Sequence, residues 1–582
     1  MVLRECSTLV LMSILGLGLF QCRAEETLEI PTHTPADLCI FSNACEWRTI
    51  DLATNLPAGA SRNVSPDFLR WLLTTGQDQI NHVGLRLRNA TIQDWLDLEN
   101  LDIPADVQFE DCIFETNVNF SGAHFHHNLS FQECEFDGPF IANALQVDGS
   151  LQIKSIRFCG MMSLNGAVIA GKLDTPAAEF LGVVDCTGLK VGSDILMSNA
   201  RFDSSPYFRH AQTGHDFDLT KSLFNADFDC SAMNVGGSLI INEARFGGKA
   251  SFQQVLVGDA FLGSGSRFEN EERMTDFSGL KVSGLADFSM AQFAGPVSFI
   301  LAQIGGNLNC QGTRFEDAHN FEELSNITCN ASTFNTDFGS MEVDGFAIFY
   351  NAYFGRSVSF RNARLENLYF DGVQWPETNY TTNPSNSTLL RVESLDFQTI
   401  RDITGDRFDH TPQQLVESES NLVCMLRERS PYSFDVYSKL EDYFLREGEP
   451  GLADKVFIEA KRREGEEASS WGAKFVNKVL YLTVGYGRLP WLAFFESCGC
   501  VMILSVLCCF CMEDKKHKQQ PGIAISMLYS LDKFLPIIDL NTGDLLDFKK
   551  NREWFRYALA FGRILGYVLV PLWTISLAGL IK

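Results

Sequence analysis

From Leu87 through Val257 an apolar residue returns at every eleventh position with few exceptions, and a second series of the same period runs five residues behind the first. The first series passes through Phe109, Phe120, Phe131, Ala142, Ile153 and Leu164. The second passes through Phe114, Phe125, Phe136, Val147, Phe158, Ile169 and Phe180. From Phe109 to Val257, 26 of the 28 positions are apolar, where the overall apolar fraction of 45% would place about 13, so the spacing is a structural rule. Two residues before the members of the second series there is usually a small or aliphatic residue, as in Ala90, Cys112, Ala123, Cys134 and Ala167. This predicts a stacked solenoid whose narrow core takes one large and one small side chain per side. Spacings that alternate between five and six depart from a pure five-residue repeat by one residue at every second corner. The extra residues are expected to open two corners and leave the outer loops less regular.

The period slips by three residues between Phe268 and Phe277, then resumes through Phe288, Phe299, Cys310 and Phe321. A second break spans Asn326 to Phe338, and Phe338, Phe349 and Phe360 carry a last run. Insertions at these points should bulge outward, where partners are recognised. Cys112 and Cys134, two periods apart, should stack as two thiols rather than a disulfide, because parallel side chains fit the disulfide torsion poorly.

The segments FSGAHF (120–125), SNARF (198–202), INEARF (242–246) and FRNARL (360–365) resemble the pentapeptide-repeat family. That resemblance implies a right-handed, four-sided parallel β-helix over residues 83–371. Residues 25–82 read as an N-terminal cap, with a short helix in Ser65–Gln79 shielding the first coil. Residues 372–432, rich in Asn, Thr and Ser, read as a closing coil and loop.

At Ser433 the period becomes helical. Tyr437, Leu440, Phe444, Gly448, Ala453, Phe457 and Ala460 resemble one tetratricopeptide unit, so residues 433–470 are expected to form a helical hairpin docked on the last coil. One such repeat cannot bury its own face. Residues 489–511 and 557–581 are each long and apolar enough to cross a bilayer. Between them, residues 512–554 carry Lys515, Lys516, Lys518, Lys549, Lys550, Arg552 and Arg556 at or beside their ends, which places this loop in the cytoplasm. Ile523–Ile538 in the loop is amphipathic and is expected to lie along the inner membrane surface. GYGRLPW (485–491), SLDKFLPIIDLN (530–541) and the C-terminal segment 562–582 are similar to the C-terminal region of membrane-bound pentapeptide-repeat proteins of bacteria. The resemblance supplies an architecture and no activity.

Residues 1–24 have Arg4 ahead of an apolar run and Ala24 before Glu25, the pattern of a cleaved export signal. A lipid-anchored version would need a small residue before Cys22, where Gln21 stands. The solenoid is therefore expected on the extracytoplasmic side. A net charge of −26 argues against nucleic acid as a ligand.

Chemistry-bearing residues are few. Cys39 and Cys45 could close a small loop, and the cysteines of 498–511 read as small apolar residues or acylation sites. Glu496 and Arg563 lie within the spans, where a charge snorkels to its own interface, pairs in an oligomer or lines an ion path. His124 and His126 flank inward Phe125 and share an outward side as two metal ligands would, beside His127, but no third ligand is evident, so a solvated face is the expectation. Eight Asn-X-Ser/Thr sequons, at Asn63, Asn89, Asn119, Asn128, Asn326, Asn330, Asn379 and Asn386, matter only where exported chains are glycosylated. Phosphate loops, nucleophile elbows and zinc-protease motifs are absent from the sequence.

The reading is a membrane-anchored extracytoplasmic binding or scaffolding solenoid, not an enzyme, with no catalytic, cofactor-binding or metal residues assigned and no cofactor. Its partners would be the lipid bilayer and a protein or surface ligand on the outer faces. The alternatives are a subunit of a transport or channel assembly and an acidic mimic of DNA that binds a topoisomerase, the latter requiring a cytosolic rod.

Overall fold

A computed structural model describes residues 31, 34–46, 48–80, 83–316, 336–355, 357–375, 390–401, 426–427, 430–516, 518–535, 540–549, 552 and 554–578. The export signal, Phe321 and the sequons at Asn326, Asn330, Asn379 and Asn386 lie outside these residues. Among the described residues, about 12 turns of parallel β-solenoid are followed by a helical C-terminal region. The chain divides into two compact units, Met1–Gly171 and Lys172–Lys582.

In the first unit, helix α1 (Pro35–Asn43) opens on a capping box, in which Thr34 Oγ1 accepts from Asp37 N and the Asp37 carboxylate accepts from Thr34 N. The same buried carboxylate accepts from Ser65 N at the start of α2 (Pro66–Leu73), tying the two helices together. α2 buries Phe68, Leu69, Leu72 and Leu73, and the strand Ile50–Asp51 pairs with Leu87–Arg88 of the first coil. The first coil is thereby covered, which removes a free strand edge.

One coil runs through the strands Val107–Glu110, Ile113–Phe114, Val118–Asn119 and His124–Phe125 before Leu129–Gln132 lies opposite the first. Phe131 faces Phe109 and Phe136 faces Phe114, so one coil takes two of the eleven-residue periods. The Phe114 and Phe136 rings stack 4.5 Å apart, close to the separation of neighbouring strands. Cys112 and Cys134 are buried free thiols, and burial together with the neighbouring Cys112 pushes the Cys134 thiol up.

Two expectations are corrected. Sides carrying the first series hold a second inward residue that is itself large or branched, because Val107, Val118, Leu129 and Phe140 point inward beside Phe109, Phe120, Phe131 and Ala142. Positions i and i+2 of a strand share a face, so the eleven-residue pattern holds a third ladder. The corners are regular as well. The five-residue interval passes through a β-turn, such as Phe120–Ala123, whose third residue is left-handed, and the same conformation recurs at Asn100, Asp111, Gly122, Glu133, Ala144 and Ser155, while the extra residue of the six-residue interval falls at a bend such as His126–His127 that repeats from coil to coil.

In the second unit the same two-period register continues, with Phe217 opposite Ile195 and Phe261 opposite Leu239. At the first slip Asp276 pairs with Ser251, and the three extra residues form an exposed loop in which Asn270 Oδ1 accepts from Glu272 N and Arg273 N. At the second, Thr336 pairs with Val297, and the Phe299 ring stacks on Phe338 at 5.1 Å. Phe338 therefore holds the ladder position expected of Phe321.

The last strands are Leu390–Arg391 and Thr399–Arg401. Helices α3 (Phe434–Arg446) and α4 (Pro450–Glu467) form the hairpin. Val436 and Leu440 of α3 close over Phe370, Val392, Leu395, Phe397 and Ile400 of the final coils, and Lys439 Nζ lies 2.6 Å from Asp396 Oδ1. Helix α5 (Trp471–Val484) leads through Gly485–Gly487 into α6 (Pro490–Cys511). Both α6 and α8 (Phe555–Leu577) are long and apolar enough to cross a membrane, which points to membrane association.

Between them stands α7 (Ile523–Phe534). Its polar residues Ser526, Ser530 and Asp532 are buried, while Ile523, Met527 and Leu528 are exposed. Cys509 Sγ of α6 contacts Ser526 Oγ at 3.1 Å, and a Cβ built on Gly566, midway along α8, would lie 1.8 Å from the Phe534 carbonyl oxygen. Ser526 is thus turned against α6 while apolar side chains of the helix are exposed, the polarity that suits a lipid surround.

Candidate functional site

The acidic side chains of the solenoid have structural work. A recurring aspartate just before an inward residue of the first series accepts from the backbone N–H two residues on, as Asp185 does from Thr187, Asp218 from Thr220, Asp229 from Ser231 and Asp276 from Ser278. Each such Asx turn satisfies a donor at a corner where the chain leaves its ladder. Part of the negative charge is therefore built into the coil.

Two wall features stand out. In the second unit a shallow groove of about 430 Å³ crosses Asn234, Leu256, Lys281, Gln303 and Glu342, one residue from each of five successive coils. In the first unit, His124 on the strand His124–Phe125 and His126 just past its end sit with Asp102 and Asp148 from the coils on either side. Asp102 pairs in register with His124. His126 Nε2 is 2.7 Å and His124 Nδ1 3.4 Å from Asp102 Oδ1. On the other side, His124 Nε2 is 3.1 Å from Asp148 Oδ1 and His126 Nδ1 is 3.5 Å from Asp148 Oδ2. The imidazole centroids are 4.1 Å apart. Each ring thus has one nitrogen on each carboxylate. Sequence reading found the two histidines and missed both aspartates, although adding one coil length to 102 gives 124 and to 126 gives 148. His127 does not enter the cluster.

A lesser group joins Glu135, Asp137 and Cys159. Arg157 lies 3.7 Å from Glu135, and burial pushes the Cys159 thiol up. Cys39 and Cys45 are both free thiols, with Cys45 Sγ donating to Gln79 O. The described sequons serve the fold: Asn119 Nδ2 donates to Asp97, Asn89 Nδ2 to Asp51, and Asn128 Oδ1 accepts from Ser150 N.

At the junction of hairpin and apolar helices, Arg488 Nη2 lies 2.6 Å from Glu441 and Nη1 2.9 Å from Asp454, with its guanidinium 4.5 Å from the Phe457 ring centroid. Burial raises the Glu441 carboxyl while Arg488 opposes that rise. Arg463 donates to the carbonyls of Leu426 and Ser430 and to Tyr437 Oη. Within the apolar helices, Glu496 is half-buried on α6 and Arg563 exposed on α8. Asp532 of α7 is enclosed by Lys533 Nζ at 2.8 Å, Thr542 Oγ1 at 2.7 Å and Leu540 N.

Compared with family models, curated proteins and solved structures, the chain matches none.

Proposed function

We propose that this chain is a membrane-anchored solenoid of the pentapeptide-repeat kind, displayed on the extracytoplasmic side, which binds or scaffolds a partner and has no catalytic activity of its own. The observation that carries the reading is the groove across five coils on a stacked wall whose chain continues into two apolar helices. A wall with one residue per coil along a line offers an extended, regular surface, as repeat proteins do. The Arg488 cluster supports a fixed presentation, since it joins the hairpin on the last coil to the start of α6. The basic residues flanking residues 512–554 support a cytoplasmic loop.

Topology tests the reading. With a membrane-impermeant thiol reagent on intact cells, Tyr380→Cys and Lys582→Cys are expected to label and Gln519→Cys to remain protected. Labelling at 519 with protection at 380 would put the solenoid in the cytosol and return the DNA-mimic reading to first place. With the expected pattern, a photocrosslinker replacing Leu256 should capture a discrete partner that one replacing Asn128 does not.

A second reading, a transport or channel subunit, is favoured by one observation: Ser526 and Ser530 of α7 are buried, Ser526 against Cys509 of α6. Polar groups at such a position mark solute or ion paths. Conductance or solute flux in reconstituted bilayers that disappears in Ser526→Ala would favour it over scaffolding.

A further inference from the structure

We infer that Asp102, His124 and His126 form a binding site for a divalent first-row transition ion of the Zn²⁺ class on the outer wall of the solenoid, with Asp148 holding the two imidazoles from behind. This goes beyond the scaffolding reading and does not depend on it.

The donor set is chemically complete for such an ion. Two imidazole nitrogens and one carboxylate oxygen suit zinc and its neighbours, whereas calcium and magnesium take oxygen. The three donor atoms lie within 4.8 Å of one another. Tetrahedral bonds of about 2.0–2.1 Å place ligand atoms about 3.3 Å apart. His124 Nδ1 is already at 3.4 Å from Asp102 Oδ1, and His126 Nε2 at 2.7 Å needs only the small lengthening that replacing a shared proton by an ion brings. The ring nitrogens away from Asp102, His124 Nε2 and His126 Nδ1, face Asp148 oxygens. A carboxylate on the far nitrogen of each ligating histidine is the arrangement that orients metal-bound imidazoles. His124 Nε2 is buried and makes no well-angled hydrogen bond as the groups stand, so a small rotation of the ring toward an ion improves that contact. Three protein ligands on an exposed wall leave a further position open for water or an incoming donor.

The placement rests on rigid parts. His124 and His126 flank inward Phe125 at the end of one strand, and ladder bonds from His124 N to Leu101 O and His126 N to Ile103 O on either side of Asp102, and from Asp148 N to Phe125 O, hold the three coils in register.

The full chain in detergent, stripped with chelator and titrated with Co²⁺ and Zn²⁺, tests this. One equivalent of Co²⁺ should bind, giving ligand-field bands of a nitrogen–oxygen site without a thiolate charge-transfer band, and Zn²⁺ should displace it. Asp102→Asn, His124→Ala and His126→Ala should each weaken binding by at least the roughly 10–100-fold that loss of an outer partner costs. Asp148→Asn should weaken it by about tenfold, and His215→Ala should leave it unchanged. These side chains face outward, so the variants should fold, and Zn²⁺ should raise the melting temperature of the parent but not of His126→Ala. Binding that survives loss of both histidines, that moves with Cys159→Ser, or that never exceeds the double-histidine variant would overturn the site and leave the four groups an ion-pair network.

Discussion

The solenoid and the C-terminal helices use the same apolar residues in opposite ways. In the coils Phe109, Phe125 and Phe180 are sealed inside and charge lies outside; in α6, α7 and α8, Ile503, Phe561 and Ile523 face outward while Ser505, Ser526 and Asp532 are buried. The difference lies in the surround. Water rewards burial of apolar surface, whereas lipid removes that reward and leaves close packing and polar contacts to hold helices together. The regularity differs for the same reason. Away from the two slips, solenoid contacts recur at one offset of two periods, while the helices meet at non-repeating points such as Gly562 against Leu504 and Gly566 against the Phe534 carbonyl.

The largest expected break in this comparison is a charge in the ladder. Phe125→Asp or Phe180→Asp would place an unpaired carboxylate in a dry core and should prevent folding, while Asn128→Asp keeps the acceptor that Ser150 N uses and should be tolerated. Circular dichroism of the purified variants checks this, and equal melting of the two classes would contradict the register.

A sharper contrast uses two residues of nearly equal exposure. Leu301, 61% exposed on a coil corner, should accept Lys within about 0.5 kcal/mol. Ile503, 63% exposed near the middle of α6, should cost roughly 2.5–3.5 kcal/mol of membrane insertion when changed to Lys. The fraction of chain inserted in a glycosylation-mapping or carbonate-extraction assay reads the second, and the melting temperature reads the first. Equal tolerance would remove the case for a lipid surround.

Packing between the apolar helices comes next. A Cβ on Gly562 would stand 2.6 Å from Leu504 Cδ1, so Gly562→Leu should force α6 and α8 apart at a cost of about 1–3 kcal/mol. Crosslinking between cysteines placed on the two helices should fall accordingly, whereas Gly499→Leu, whose Cβ meets nothing nearby, should leave it intact.

The smallest effect concerns the corners. Ala144 is held at φ 54°, so Ala144→Gly should stabilise the coil by about 0.5–1 kcal/mol, the relief of left-handed strain less the entropy that glycine adds to the unfolded chain. Gly122→Ala should destabilise by more, since its Cβ would also meet Asn100 Oδ1 at 2.2 Å. Thermal unfolding of both variants tests the sign.

Much of this molecule was legible before any coordinates. The eleven-residue spacing determined by itself that the chain coils, and the resemblance to four-sided repeats turned that period into a coil of two periods with Cys112 beside Cys134, because a repeated core turns sequence separation directly into spatial neighbourhood. Length and apolarity were likewise enough to mark both membrane-length helices. Only the tertiary structure decided which outward groups meet. His124 and His126 were visible as a pair, but Asp102 and Asp148 reach them across coils, and outward positions carry no apolar pattern to flag such a meeting. It also decided the orientation of α7, because periodicity reports that a helix has two faces and not which one is turned inward. That choice depends on whether water or lipid lies outside, and on a neighbour such as Gly566 whose missing side chain lets the backbone of Phe534 come close.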